Sequence, residues 1–150
     1  MVYNSGPTEP NAKAVLNFGW EYLNAARLLF INKAGISPAG PVNYLASHSF
    51  ELFTKAYLMS KGLKYKDLKN LGHEIQDLIN ECDKMGMTFS DDEITLAGVI
   101  RNLNVHHMQR YPMHGLFLIG PSGFAEPKNL IDHIERYGKR VESFLLKEAA

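Results

Sequence analysis

Hydrophobic positions recur at helical spacing along most of the chain. Val15, Phe18, Tyr22, Ala26, Leu29 and Phe30 are separated by three or four residues, or are neighbours at the last step. That period predicts an amphipathic helix from about 10 to 33, with Pro10 where a first-turn proline is tolerated. Gly35-Ile36-Ser37-Pro38-Ala39-Gly40 interrupts it, and Pro41 can open the next helix. The second helix, about 41 to 61, is apolar on most sides: Val42, Leu45, Phe50, Leu52, Phe53, Ala56, Tyr57, Leu58 and Met59. A helix wet on so little of its circumference belongs in the middle of a bundle. Gly62 ends it.

Lys61, Lys64, Lys66 and Lys69 surround Tyr65 and Leu68 and read as a solvated short helix or turn; a basic rim for a phosphate backbone is the sharper version. After Gly72-His73, a helix of about 73 to 85 places Ile75, Leu78, Ile79 and Cys82 on one face, and Gly86 stops it. Ser90-Asp91-Asp92-Glu93 matches a capping box whose acids also suit the positive end of the helix dipole. The helix it starts runs to about 110, with Ile94, Ala97, Ile100 and Leu103 expected to face inward, and Pro112 terminates it. Residues 112 to 126 read as a loop whose Leu116-Phe117-Leu118-Ile119 patch packs on the bundle. Glu126-Pro127 opens the last helix, which carries Leu130, Ile131, Ile134, Tyr137, Val141, Phe144 and Leu145. About five helices and almost no strand pattern make an all-α, single-domain bundle over 10–150, preceded by a loose arm at 1–9.

Composition narrows the classes. At 150 residues, 45% hydrophobic and 21% charged, the chain is long enough for one substantial core and has no disordered signature. Sixteen basic residues balance sixteen acidic ones, so any nucleic-acid contact must be local. The single Cys82 excludes an intrachain disulfide and reads as a buried helix residue, compatible with a reducing cytosol. Residues 1 to 10 have no apolar signal core, and no run approaches the length of a membrane span. These features predict a cytoplasmic protein with no membrane segment.

Two constellations carry candidate chemistry. In Ile100-Arg101-Asn102-Leu103-Asn104-Val105-His106-His107, an arginine is followed at once by an amide and five positions later by a histidine. Arginine is a permanent cation shaped for phosphate, and histidine moves protons near neutral pH. Cleaving an RNA phosphodiester needs both. From residue 94 to residue 125 there is no acidic side chain, and the span holds Arg101, His106, His107, Arg110 and His114. By residue types alone such a pair recurs about 0.6 times by chance, so Arg101 and His106 equally fit the wet face of a helix. The other constellation is His48, Glu51 and Lys55 on one face of the second helix. It fits a hydrogen-bonded stripe that sets helix register, or a pocket for a nucleotide or small anion. No metal is expected, because no cysteine or carboxylate accompanies the histidines at 106, 107 and 114 in sequence.

With the helices placed, His48 through Leu58, Gly62 and Gly72-His73 resemble the core helix pair of the HEPN family (higher eukaryotes and prokaryotes nucleotide-binding). Arg101-Asn102-Leu103-Asn104-Val105-His106 resembles that family's Arg, polar, spacer, His signature, especially in the toxin branch paired with minimal nucleotidyltransferases. Met108 stands where that branch has tyrosine, and Asn104 where an aliphatic spacer is usual. Residues 103 to 112 also resemble prokaryotic HEPN-like proteins in which the catalytic pair is not general. The likeness spans roughly residues 10 to 147 and implies a small all-α domain. It implies either an RNA-cleaving toxin or defence effector, or a non-catalytic RNA-, nucleotide- or protein-binding module. An antitoxin or nucleotidyltransferase partner follows from the toxin-branch likeness.

Helix geometry adds a constraint. Asn102 and His106 lie within about 40° of each other around the axis, whereas Arg101 is about 140° from His106. A symmetric homodimer, which the resemblance also implies, brings two copies of the stretch to one two-fold axis. One His106 then serves as base on the 2′-hydroxyl and its mate as acid toward the 5′-oxygen, leaving a 2′,3′-cyclic phosphate without metal or cofactor. Arg101 holds the charge on phosphorus, and Asn102 orients His106 or the phosphate. His48, Glu51, Lys55, His107 and Arg110 are the expected binding residues.

Overall fold

In a computed structural model of the chain, the described residues are 10–31, 39–105 and 127–149. They form six helices and no strand: α1 (Ala12–Ile31), α2 (Ala39–Ser60), α3 (Tyr65–Leu71), α4 (Ile75–Lys84), α5 (Asp91–Val105) and α6 (Pro127–Ala149). The sixth, beyond the expected five, is α3, where the lysine-rich stretch folds as a short helix with Lys64, Lys66 and Lys69 exposed. The arm at 1–9 and the segment 106–126 lie outside the described residues.

Local chemistry accounts for several helix starts. Asn11 Oδ1 accepts from the Ala14 amide at 2.8 Å and caps α1, so the helix begins just after Pro10. The Ser90 capping box forms in both directions: the Ser90 amide donates to Glu93 Oε1 at 2.9 Å and the Glu93 amide to Ser90 Oγ at 3.2 Å. Asp67 reaches back to the Lys64 amide at 2.8 Å to start α3.

The bundle is built around α2, which packs on α1, α4 and α6. The buried set draws on all six helices and includes Phe50, Phe53, Leu58, Leu78, Ile100, Ile134 and Val141. The Phe53 ring passes between α1 and α6 at two glycines. A methyl added at Gly19 would lie 2.6 Å from its ring carbons, and one at Gly138 also 2.6 Å from the opposite edge. Trp20 meets the same ring edge-on at 4.8 Å. Glycine is required at both positions by close approach, since a ring hemmed on two sides has nowhere to move.

Two expected faces are corrected. The buried residues of α1 are Val15, Leu16, Gly19, Leu23 and Ala26, while Phe18 (48% exposed) and Leu29 stand outside. The period is right, but the helix turns its Gly19 side inward, where the missing side chain admits Phe53. In α5, Ala97, Ile100 and Leu103 face inward as expected, joined by Leu96 and Val99, whereas Ile94 is 57% exposed. Ile94 lies in the first turn, on a side that α6, which meets the neighbouring Glu93 through Arg140, does not cover. Cys82 is free and fully buried, and burial, with the nearby Glu81 charge, pushes its thiol up to about 12. Among the described residues, no helix is long and apolar enough to cross a membrane.

Candidate functional site

The periodicity that buries Phe50, Phe53 and Tyr57 turns His48, Glu51 and Lys55 to another side of α2. Glu51 is only 6% exposed, so its charge must be compensated. Burial would raise its pKa, but His48, Lys55 and His73 outweigh that and hold the carboxyl at about 2. Lys55 Nζ donates to Glu51 Oε1 at 2.7 Å, and His48 Nδ1 approaches Oε2 at 3.7 Å. His48 is itself clamped, edge-on to Tyr22 at 4.5 Å and parallel to Tyr44 at 6.4 Å.

The fourth member, His73, comes from a different part of the chain. Gly72, at φ 73° where side-chain-bearing residues are disfavoured, closes α3 and turns the backbone so that the next residue overlies α2. His73 Nδ1 bonds Glu51 Oε1 while 79% of the side chain stays exposed. A carboxylate held anionic only accepts, so the ring proton sits on Nδ1, and in the neutral ring Nε2 keeps its lone pair. Lys55 Nζ lies 3.5 Å from the same Nδ1; both are donors converging on one oxygen rather than bonding each other. No group of three or more histidine, cysteine, aspartate or glutamate side chains among the described residues is placed to hold a metal ion.

Arg101 projects from the far end of α5, 54% exposed, with its Nε 3.5 Å from Glu74 Oε1. Asn102 beside it is exposed as well. His106, His107 and Arg110 lie outside the described residues. The two constellations that are separate in sequence therefore meet at consecutive residues: His73 binds the Glu51 carboxylate, and Glu74 binds the Arg101 guanidinium. Sequence reasoning placed His48, Glu51 and Lys55 together and missed His73 as a member. Eighteen positions separate it from Lys55, and only the α3 turn brings it back.

A concave region of about 200 Å³ lies between the start of α5 and α6. Arg140 braces it, donating to Glu93 Oε1 at 2.7 Å and to the Thr88 carbonyl. Arg136 Nη2 lies 2.6 Å from His133 Nδ1; burial first, then the Arg136 charge, lower that histidine's pKa. Carboxylates from Asp92 and Glu93 share the wall, so the charges largely cancel within it.

No family model matches the chain, and no curated protein or solved structure matches it significantly.

Proposed function

We propose that the chain is a HEPN-type endoribonuclease that acts as a homodimer without metal, through Arg101, Asn102 and His106. Arg101 holds the scissile phosphate, Asn102 orients the neighbouring imidazole, and His106 gives the leaving 5′-oxygen its proton. The observation that supports this best is the state of Arg101. Its side chain is more than half exposed, and its ion-pair partner among the described residues, Glu74, is itself about half exposed, with the nearest contact at 3.5 Å. A pair so wet is weak, and a phosphate diester displaces it readily.

The test is cleavage of mixed-sequence single-stranded RNA in EDTA. Wild-type protein is expected to leave 2′,3′-cyclic phosphate and 5′-hydroxyl ends. Arg101→Ala and His106→Ala each lower the rate by roughly 10²- to 10⁴-fold, with the melting temperature unchanged. RNA that stays intact with wild-type protein overturns the reading. The Arg101–Glu74 contact also supports a second reading, in which the arginine braces α5 against the start of α4 and the domain binds RNA or a nucleotide without cutting it. Binding with no cleavage would decide for that one.

A further inference from the structure

A buried carboxylate needs one cation to be neutral, and Lys55 already supplies it. Glu51 nevertheless takes a histidine as well, and that histidine is mostly exposed. Register between helices does not call for an exposed ring. The arrangement is what a proton-transfer imidazole needs: an anion fixes one nitrogen and the ring's orientation, and the other nitrogen faces solvent with its lone pair free. The charged groups around the ring are Glu51, Lys55 and His48 from α2, Glu74 beside it, and Arg101 from α5 through Glu74.

We infer that His73, oriented by Glu51, is a further catalytic residue that takes the 2′-hydroxyl proton of an RNA strand held by Arg101. This rests on the ribonuclease reading above. His73 Nε2 removes the proton as the 2′-oxygen attacks phosphorus. The bond from phosphorus to the 5′-oxygen breaks, that oxygen takes its proton from His106, which regains one from solvent, and a 2′,3′-cyclic phosphate remains. The imidazolium, steadied by the Glu51 anion, returns its proton to solvent. Glu51 touches no substrate and acts as the positioning residue.

The experiment compares steady-state RNA cleavage and its pH profile for wild type, His73→Ala, Glu51→Gln and Glu51→Asp. His73→Ala removes one of the donors to Glu51 and lowers the melting temperature by only about 2–4 °C, since Lys55 and His48 remain. It is expected to lower kcat by about 10²-fold or more, with KM within about three-fold, and to remove the acid limb of the profile. Glu51→Asp retains a carboxylate and recovers part of the rate that Glu51→Gln loses. If wild type cuts RNA and His73→Ala cuts equally well with the same profile, the role given to His73 is wrong while the ribonuclease reading stands. If wild type does not cut, both fall.

Discussion

Two sides of α2 solve the problem of burial in opposite ways. One presents Phe50, Phe53 and Tyr57 to a dry seam in which rings and glycines interlock. The other presents Glu51, whose charge is buried nearly as deeply but surrounded by donors. Shape specifies the first side, and nothing there can move without overlap. Charge specifies the second, where the outermost partner, His73, keeps a free edge toward solvent. A rigid seam backing a polar cluster is the arrangement a reactive group requires, because the scaffold limits where that group can stand.

The contrast can be broken most severely on the dry side. Phe53→Ala removes the ring that separates α1 from α6 and should cost about 3–5 kcal/mol in denaturant unfolding. A cost under about 1 kcal/mol would show that the seam closes up without it.

Acid tests the other side. The Glu51 carboxyl sits at about 2 in the folded chain against an ordinary 4.5. Its contribution is therefore complete above pH 4.5 and is lost as pH falls from there toward 2. The shift corresponds to about 3 kcal/mol, read as the fall in unfolding free energy across that range. Glu51→Gln should flatten the fall, having lost the interaction already at neutral pH.

The smallest effect belongs to a polar pair inside the dry seam that joins α2 to α6. Thr54 Oγ1 lies 2.9 Å from the Phe50 carbonyl and 2.8 Å from the Tyr137 hydroxyl. Thr54 has a single proton and gives it to the carbonyl, so Tyr137 is the donor to Thr54. Tyr137→Phe removes that bond without opening a cavity and should cost about 1 kcal/mol. A loss as large as that of Phe53→Ala would mean that the seam depends on polar bonding as much as on shape.

Much of this was legible in order of residues. The helical period, the Ser90 capping box, the glycine that ends α2 and the central place of α2 all follow from neighbours a few positions apart. The face of α1 was not legible: Phe18 and Leu29 outweigh Gly19 in any reading of hydrophobicity. Gly19 is chosen by a ring on another helix. Ile94 misled in the same way, because period alone does not tell which side of a first turn the neighbouring helices cover.

What the chain determined by itself is its division into helices and the stripe His48, Glu51, Lys55, since both depend on spacing within one element. Tertiary structure alone decided that His73 completes that stripe and that Glu74 carries Arg101 to its border. The reason is physical: a buried anion draws its donors from whichever segments the packing brings within hydrogen-bonding distance, and separation along the chain places no term in that energy.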